Sequence, residues 1–168
     1  MKHINFYSRL NNKPLSGNLI YRESEYSIDF IDYSPEEMEM LVGSQGCSSL
    51  TIGTLQIEVG IETGTLLYPW GLFSLTQCES KVLLQPEMHG GNIYINPNEL
   101  GMLSGVAIEI PGSILWKVFR DTSTGWICIG NSDEVDSSVC VVQFATNAAI
   151  SLKNKLIIAL WIKPDLEP

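Results

Sequence analysis

The stretch TLQIEVGIETGTLLYPWGLF, residues 54–73, decides the fold class. Leu55, Ile57, Val59 and Ile61 alternate with Gln56, Glu58, Gly60 and Glu62. A period of two gives a strand one apolar face and one wet face. Glu62-Thr63-Gly64-Thr65 then reads as a hairpin turn, because Gly64 is free to take a positive φ. The chain resumes as Leu66-Leu67-Tyr68, and Pro69 and Gly71 around Trp70 suggest a bend or an edge.

The same grammar continues on both sides. Strands are predicted over His3–Ser8, Asn18–Arg22, Tyr26–Asp32, Lys81–Gln85, Asn92–Ile95 and Val106–Ile110. Five more follow at Ile114–Arg120, Trp126–Ile129, Val139–Phe144, Ala148–Leu152 and Leu156–Ile162, with a turn at Lys153-Asn154 between the last two. Gly, Asn, Pro and Ser separate them. Many short strands of this kind indicate a mostly β chain: a single-domain antiparallel β-sandwich or partly open barrel spanning residues 1–168. One or two short helices complete it. Ser34-Pro35-Glu36-Glu37 combines an N-cap, a proline at the first helical position and acids in the first turn, and predicts a helix to about Leu41. Asn96-Pro97-Asn98-Glu99-Leu100 predicts a second, single-turn helix. Residues 43–49, GSQGCSS, read as the most flexible loop.

At 168 residues the chain is long enough for a sizeable core. Its net charge of −9 argues against direct nucleic-acid binding and against anionic membrane surfaces. The opening MKHINFYSRLNNK has no apolar h-region and no small-residue cleavage site, so no signal peptide is expected. The longest apolar run, Leu156–Ile162, is far short of a membrane span. Cys47, Cys78, Cys128 and Cys140 form no CxxC pair and read as reduced, packed thiols. The compartment expected is therefore the cytoplasm. No cofactor is expected: GxSxG, GxxxxGK[ST], GxGxxG and HExxH are all missing, and His89-Gly90-Gly91 reads as a turn.

Charge distribution is the sharper signal. ESEYSIDFIDYSPEEMEM, residues 23–40, holds seven carboxylates and no cation. From Glu23 to Ser80 there are ten acids and neither Lys nor Arg. Acids in a first helical turn add about 0.3–1 kcal/mol each at low salt, which accounts for two or three of them. Solubility alone is served better by mixed charges. A field of one sign steers a basic partner, so a basic protein is the expected ligand. The candidate contact residues are Asp29, Asp32, Glu36, Glu37, Glu39 and the Asp133-Glu134-Val135-Asp136 loop, with Asp133, Glu134 and Asp136 as its carboxylates. That loop could also hold Ca²⁺, but no glycine-spaced ligand pattern accompanies it.

Residues 53–74, with Leu67-Tyr68-Pro69-Trp70-Gly71, resemble a segment of small bacterial immunity proteins. So do residues 142–164, which end in Leu160-Trp161-Ile162-Lys163-Pro164. Such proteins are encoded beside polymorphic or contact-dependent growth-inhibition toxins. The resemblance implies a non-enzymatic cytoplasmic protein that binds and blocks a cognate toxin domain, often a basic nuclease. It carries over no catalytic residue and places no interface. The alternative expectation is a carbohydrate-binding β-sandwich module or a glycosidase. It would use exposed Trp70 or Trp126 as a platform, with Glu58 and Glu62 on one wet strand face as the first carboxylates to test.

Overall fold

The computed structural model describes residues 3–10 and 12–168. The strands, in chain order, are β1 (Tyr7–Leu10), β2 (Asn18–Arg22), β3 (Ser27–Ile31), β4 (Cys47–Ile52) and β5 (Leu55–Gly60). Next come β6 (Leu66–Leu72), β7 (Glu79–Ser80), β8 (His89–Tyr94), β9 (Ile108–Glu109) and β10 (Val118–Arg120). The last are β11 (Ile127–Gly130), β12 (Cys140–Ala145), β13 (Ala148–Lys153), β14 (Leu156–Ile162) and β15 (Asp165–Glu167). Helix α1 (Pro35–Val42) follows β3, and the single turn α2 (Pro97–Leu100) follows β8.

Two sheets form and pack face to face as a β-sandwich. Sheet I has the order β1-β8-β12-β13-β14-β11-β10-β7, and sheet II the order β15-β2-β3-β6-β5-β4-β9. Most neighbours are antiparallel. The pairs β7–β10, β8–β12, β4–β9 and β2–β15 are parallel, so both sheets are mixed.

The alternation of residues 55–59 is what the core requires. Leu55, Ile57 and Val59 are all buried and meet Ile127, Ile129, Val142, Phe144, Ile150, Leu160 and Ile162 in one cluster. The intervening residues of sheet I face the other way. Cys128, Val141, Ala149, Ala159 and Trp161 form a second buried layer with Trp126 and Leu83. The central strands of sheet I, β11–β14, are therefore apolar on both faces.

The cover over that second layer is residues 81–88. The sequence predicts a strand at Lys81–Gln85, but only Glu79 and Ser80 pair, with β10. The alternation there is real: Leu83 turns inward, while Val82 and Leu84 are 87% and 73% exposed. The segment lies across the sheet instead of in it. It is fastened by Asp121, buried at the turn after β10, whose Oδ2 accepts the Leu83 amide at 3.0 Å. The Ser123 hydroxyl and amide donate to the other oxygen of Asp121. These bonds, the Ser123 hydroxyl foremost, hold the Asp121 carboxyl below its usual range.

Other boundaries shift for local reasons. The first strand starts at Tyr7 and not at His3, and the Ile114–Arg120 segment divides into a 3-10 turn at Ser113–Leu115 and β10. Helix α1 begins as expected, with the Ser34 hydroxyl accepting the Glu37 amide. Strand β4 starts inside the loop expected at residues 43–49. Its Ser48 hydroxyl donates to the Val106 carbonyl, so a serine is satisfied where an apolar residue would otherwise be read.

Two stitches close the corners of the sandwich. At the β5–β6 turn the Ile95 amide donates to the Gly64 carbonyl at 2.9 Å. Gly64 has φ +73, and a Cβ there would lie 2.1 Å from the Ile95 carbonyl oxygen. At the other corner Leu15 bridges to Ala145 in parallel, with Leu15 N–Phe144 O and Thr146 N–Leu15 O bonds.

Truncating Leu83 to Ala should cost about 2–4 kcal/mol, because it opens a cavity over Trp161. Val82→Ala should stay within about 0.5 kcal/mol, as for an exposed site. Urea denaturation midpoints measure both. Equal effects would refute the covering role of residues 81–88.

Candidate binding surfaces

With the central strands of sheet I, β11–β14, buried on both sides, the outer face of sheet II is a broad face left to solvent. Its side chains alternate with Tyr21, Ile28, Phe30, Leu50, Leu55 and Ile57 of the core. The register carries a row across the strands: Thr51 of β4 opposes Gln56 of β5, and Gln56 opposes Trp70 of β6. Beyond them Ser27 opposes Leu72 and Arg22. These residues line an open cleft of about 630 Å³, together with Glu25, Asp29, Gly53, Thr54 and Ala107.

Trp70 is fixed in this cleft. Its Nε1 donates to Glu58 Oε1 at 3.1 Å, and the same oxygen accepts the Ser49 hydroxyl at 3.4 Å. Burial pushes the Glu58 carboxyl above its ordinary range, and the Trp70 and Ser49 hydrogen bonds partly offset this. Burial pushes the Tyr68 hydroxyl up, and the nearby Glu58 carboxylate adds to this. At the far wall Arg22 Nη1 meets Asp29 Oδ2 at 2.7 Å.

The pairing expected for a glycosidase does not form. β5 ends at Gly60, and Glu62 lies in the following turn, where its carboxylate accepts the Ser44 amide. Glu58 and Glu62 therefore do not face one groove. Trp126 is only 7% exposed and belongs to the buried layer over sheet I, so it offers no platform. Trp70 does reach a cleft.

The acidic residues singled out by sequence fall into two groups on different sheets. Asp29 is ion-paired with Arg22 in the cleft wall. Asp32 is exposed and accepts the Asn18 amide nitrogen at 2.7 Å. Glu36, Glu37 and Glu39 ride on α1, which packs Met38, Leu41 and Val42 towards the core and leaves Met40 83% exposed. Among the described residues, no ion pair is formed by Asp32 or by these three glutamates. The second group, between β11 and β12, is locally satisfied. Asp133 pairs with Lys81 at 2.9 Å, Glu134 with Lys153, and Asp136 accepts the Ser138 hydroxyl and amide. Among the described residues, no three His, Cys, Asp or Glu side chains converge on a metal-sized site. No described helix is long and apolar enough to cross a membrane.

The role of Arg22, Gln56 and Thr51 was not visible in the sequence. They are separated from Trp70 by up to 48 positions (70 − 22) and meet it only through strand register. No protein-family model matches the chain, and comparison with curated proteins gives no match.

Because the folded-state pKa of Glu58 is raised, its stabilising contribution is complete below the ordinary carboxyl range and is lost as pH rises through the raised value. Glu58→Gln, whose carbonyl can still accept Trp70 Nε1, should therefore gain stability relative to wild type as pH rises from about 4 to 7. Denaturant unfolding at several pH values reads this difference. A constant difference would mean that Glu58 titrates normally.

Proposed function

We propose that this is a non-catalytic binding protein that neutralises a basic toxin domain, as an immunity protein does for its cognate toxin. The observation that carries the reading is the uncompensated acidic helix. Residues 23–80 contain no Lys or Arg, and Arg22, just outside, is occupied by Asp29. Glu36, Glu37 and Glu39 thus present carboxylates on a capped, packed helix, with Asp32 just before it, and among the described residues none of the four forms an ion pair. Such a surface attracts a strongly positive protein and speeds the encounter. Exposed Met40 beside them supplies an apolar contact for the centre of an interface.

The mechanism is occlusion. The carboxylates pair with the Lys and Arg through which the toxin holds its anionic substrate, and so remove that surface from use. The work would take place in the cytoplasm of the producing cell. The Asp133–Asp136 loop contributes less, because Lys81 and Lys153 already draw on its charge. The resemblance of residues 53–74 and 142–164 to immunity proteins supports the same reading.

The test is co-expression of the tagged protein with the polypeptide encoded immediately upstream, with capture at low and high salt. A stoichiometric complex that rescues growth is the expected result. Reversing Glu36, Glu37 and Glu39 to Lys should slow association by about ten-fold or more at low salt and flatten its salt dependence. Unchanged affinity of that triple variant would sink the acidic-helix version.

A further inference from the structure

The Trp70 cleft is a second surface, and its chemistry differs from that of the helix. It lies at the end of sheet II marked by the β4–β5 turn, where Gly53 and Thr54 line it. Helix α1 sits at the other end of β5, where Val42 approaches Gly60. We propose that the cleft binds a saccharide, with one pyranose face stacked on the Trp70 indole and its hydroxyls held by Arg22, Asp29 and Gln56. This goes beyond the toxin-neutralising reading and does not depend on it.

Three observations lead there. First, the indole is held in one orientation by Glu58, which itself takes a second bond from Ser49. A fixed aromatic ring offers an apolar platform without a large entropy cost on binding, and the C–H face of a sugar ring is its natural complement. Second, the polar groups around it are forked or planar. The Arg22 guanidinium presents donors in a fan, the Asp29 carboxylate accepts, and the Gln56 amide does both. Vicinal hydroxyls on a pyranose match such groups pairwise. Third, charge in the cleft is largely balanced, Arg22 against Asp29, with Glu25 over. A phosphate or polyanion would be repelled by this extra carboxylate, whereas a neutral polyol can donate hydroxyl protons to it.

The shape favours a chain over a small compact ligand. The row Thr51, Gln56, Trp70 runs across strands spaced about 4.8 Å apart, on an open face. That step is close to the repeat of a pyranose chain. Gly71 lets the β6 backbone come close to β5 beside Trp70. Its φ is +117, and a Cβ there would stand 3.0 Å from the Thr54 carbonyl oxygen.

The experiment follows the Trp70 indole N–H signal by ¹H–¹⁵N NMR on the whole protein. The probes are cellohexaose, chitohexaose and mannohexaose, with an arginine-rich hexapeptide as the competing class. The expected result is a saturable shift of the Trp70 signal with at least one saccharide. Calorimetry should then show about ten-fold weaker binding for Trp70→Ala and a smaller loss for Trp70→Tyr. Gln56→Ala should weaken binding several-fold with the melting temperature preserved, which keeps the test valid if Trp70→Ala fails to fold. Val82→Ala, remote from the cleft, should bind as wild type does. No shift with any of the three saccharides at millimolar concentration would overturn the proposal. So would binding that survives both Trp70→Ala and Gln56→Ala. A shift with the arginine peptide alone would also overturn it and assign the cleft to the protein partner.

Discussion

The constraint on which this structure depends is that each central strand must give one set of alternate side chains to the space between the sheets. Leu55, Ile57 and Val59 do so from sheet II, and Val142, Phe144, Ile150, Leu160 and Ile162 from sheet I. A shift of one residue in the sheet II strands would send their apolar set outward. Register is therefore held firmly, and the outward residues inherit fixed positions. That is why Thr51, Gln56 and Trp70 stand in a row although no sequence motif joins them.

The two sheets are not equivalent. Sheet I carries apolar residues on both faces, and residues 81–88 close the second one over Trp161 and Cys128. Burial pushes the Cys128 thiol up to about 12, so it behaves as an inert packing group. Sheet II is buried on one face only, apart from the end under α1. The outer face of sheet II stays open, whereas the corresponding face of the central strands of sheet I is spent on stability. The acidic loop at Asp133–Asp136 fits this division, since Lys81 and Lys153 tie it to neighbouring segments of sheet I.

Much of the architecture was legible. Strict alternation located β5, Gly64 the turn after it, and short apolar segments between Gly, Asn and Ser turns located the strands from β11 to β14. Ser34-Pro35 and Asn96-Pro97 located both helix starts. Strand β4 was missed because its Ser48 and Ser49 are polar and sit after a Gly-Ser loop. Their hydroxyls are satisfied by Val106 and Glu58, partners that a linear reading does not contain. Residues 81–85 were misplaced for the opposite reason. They alternate as a strand does, but periodicity reports which side chains are buried, not whether the backbone is paired. The candidate surfaces were legible in their components: Trp70, Glu58 and the acids of residues 29–39. Their assembly was not. Glu58 and Glu62 share a face only if the strand continues past Gly60, and it turns there. The Arg22–Asp29 pair and Gln56 join Trp70 through register, which is a property of the folded sheet.

The outermost strand of sheet II, β15, has a consequence for how the molecule comes into being. Asp165–Glu167 pair with Ile20–Arg22, so strands about 145 positions apart in sequence lie side by side. Strand β14, in the interior of sheet I, is also made late. During synthesis, β2 to β6 emerge with their apolar face exposed and wait for partners that have yet to be translated. Contacts of such long sequence separation make folding slow, and the waiting hairpins are vulnerable to aggregation. The carboxylates of residues 23–39 appear early in this interval, and their mutual repulsion would keep nascent copies apart until the second sheet arrives.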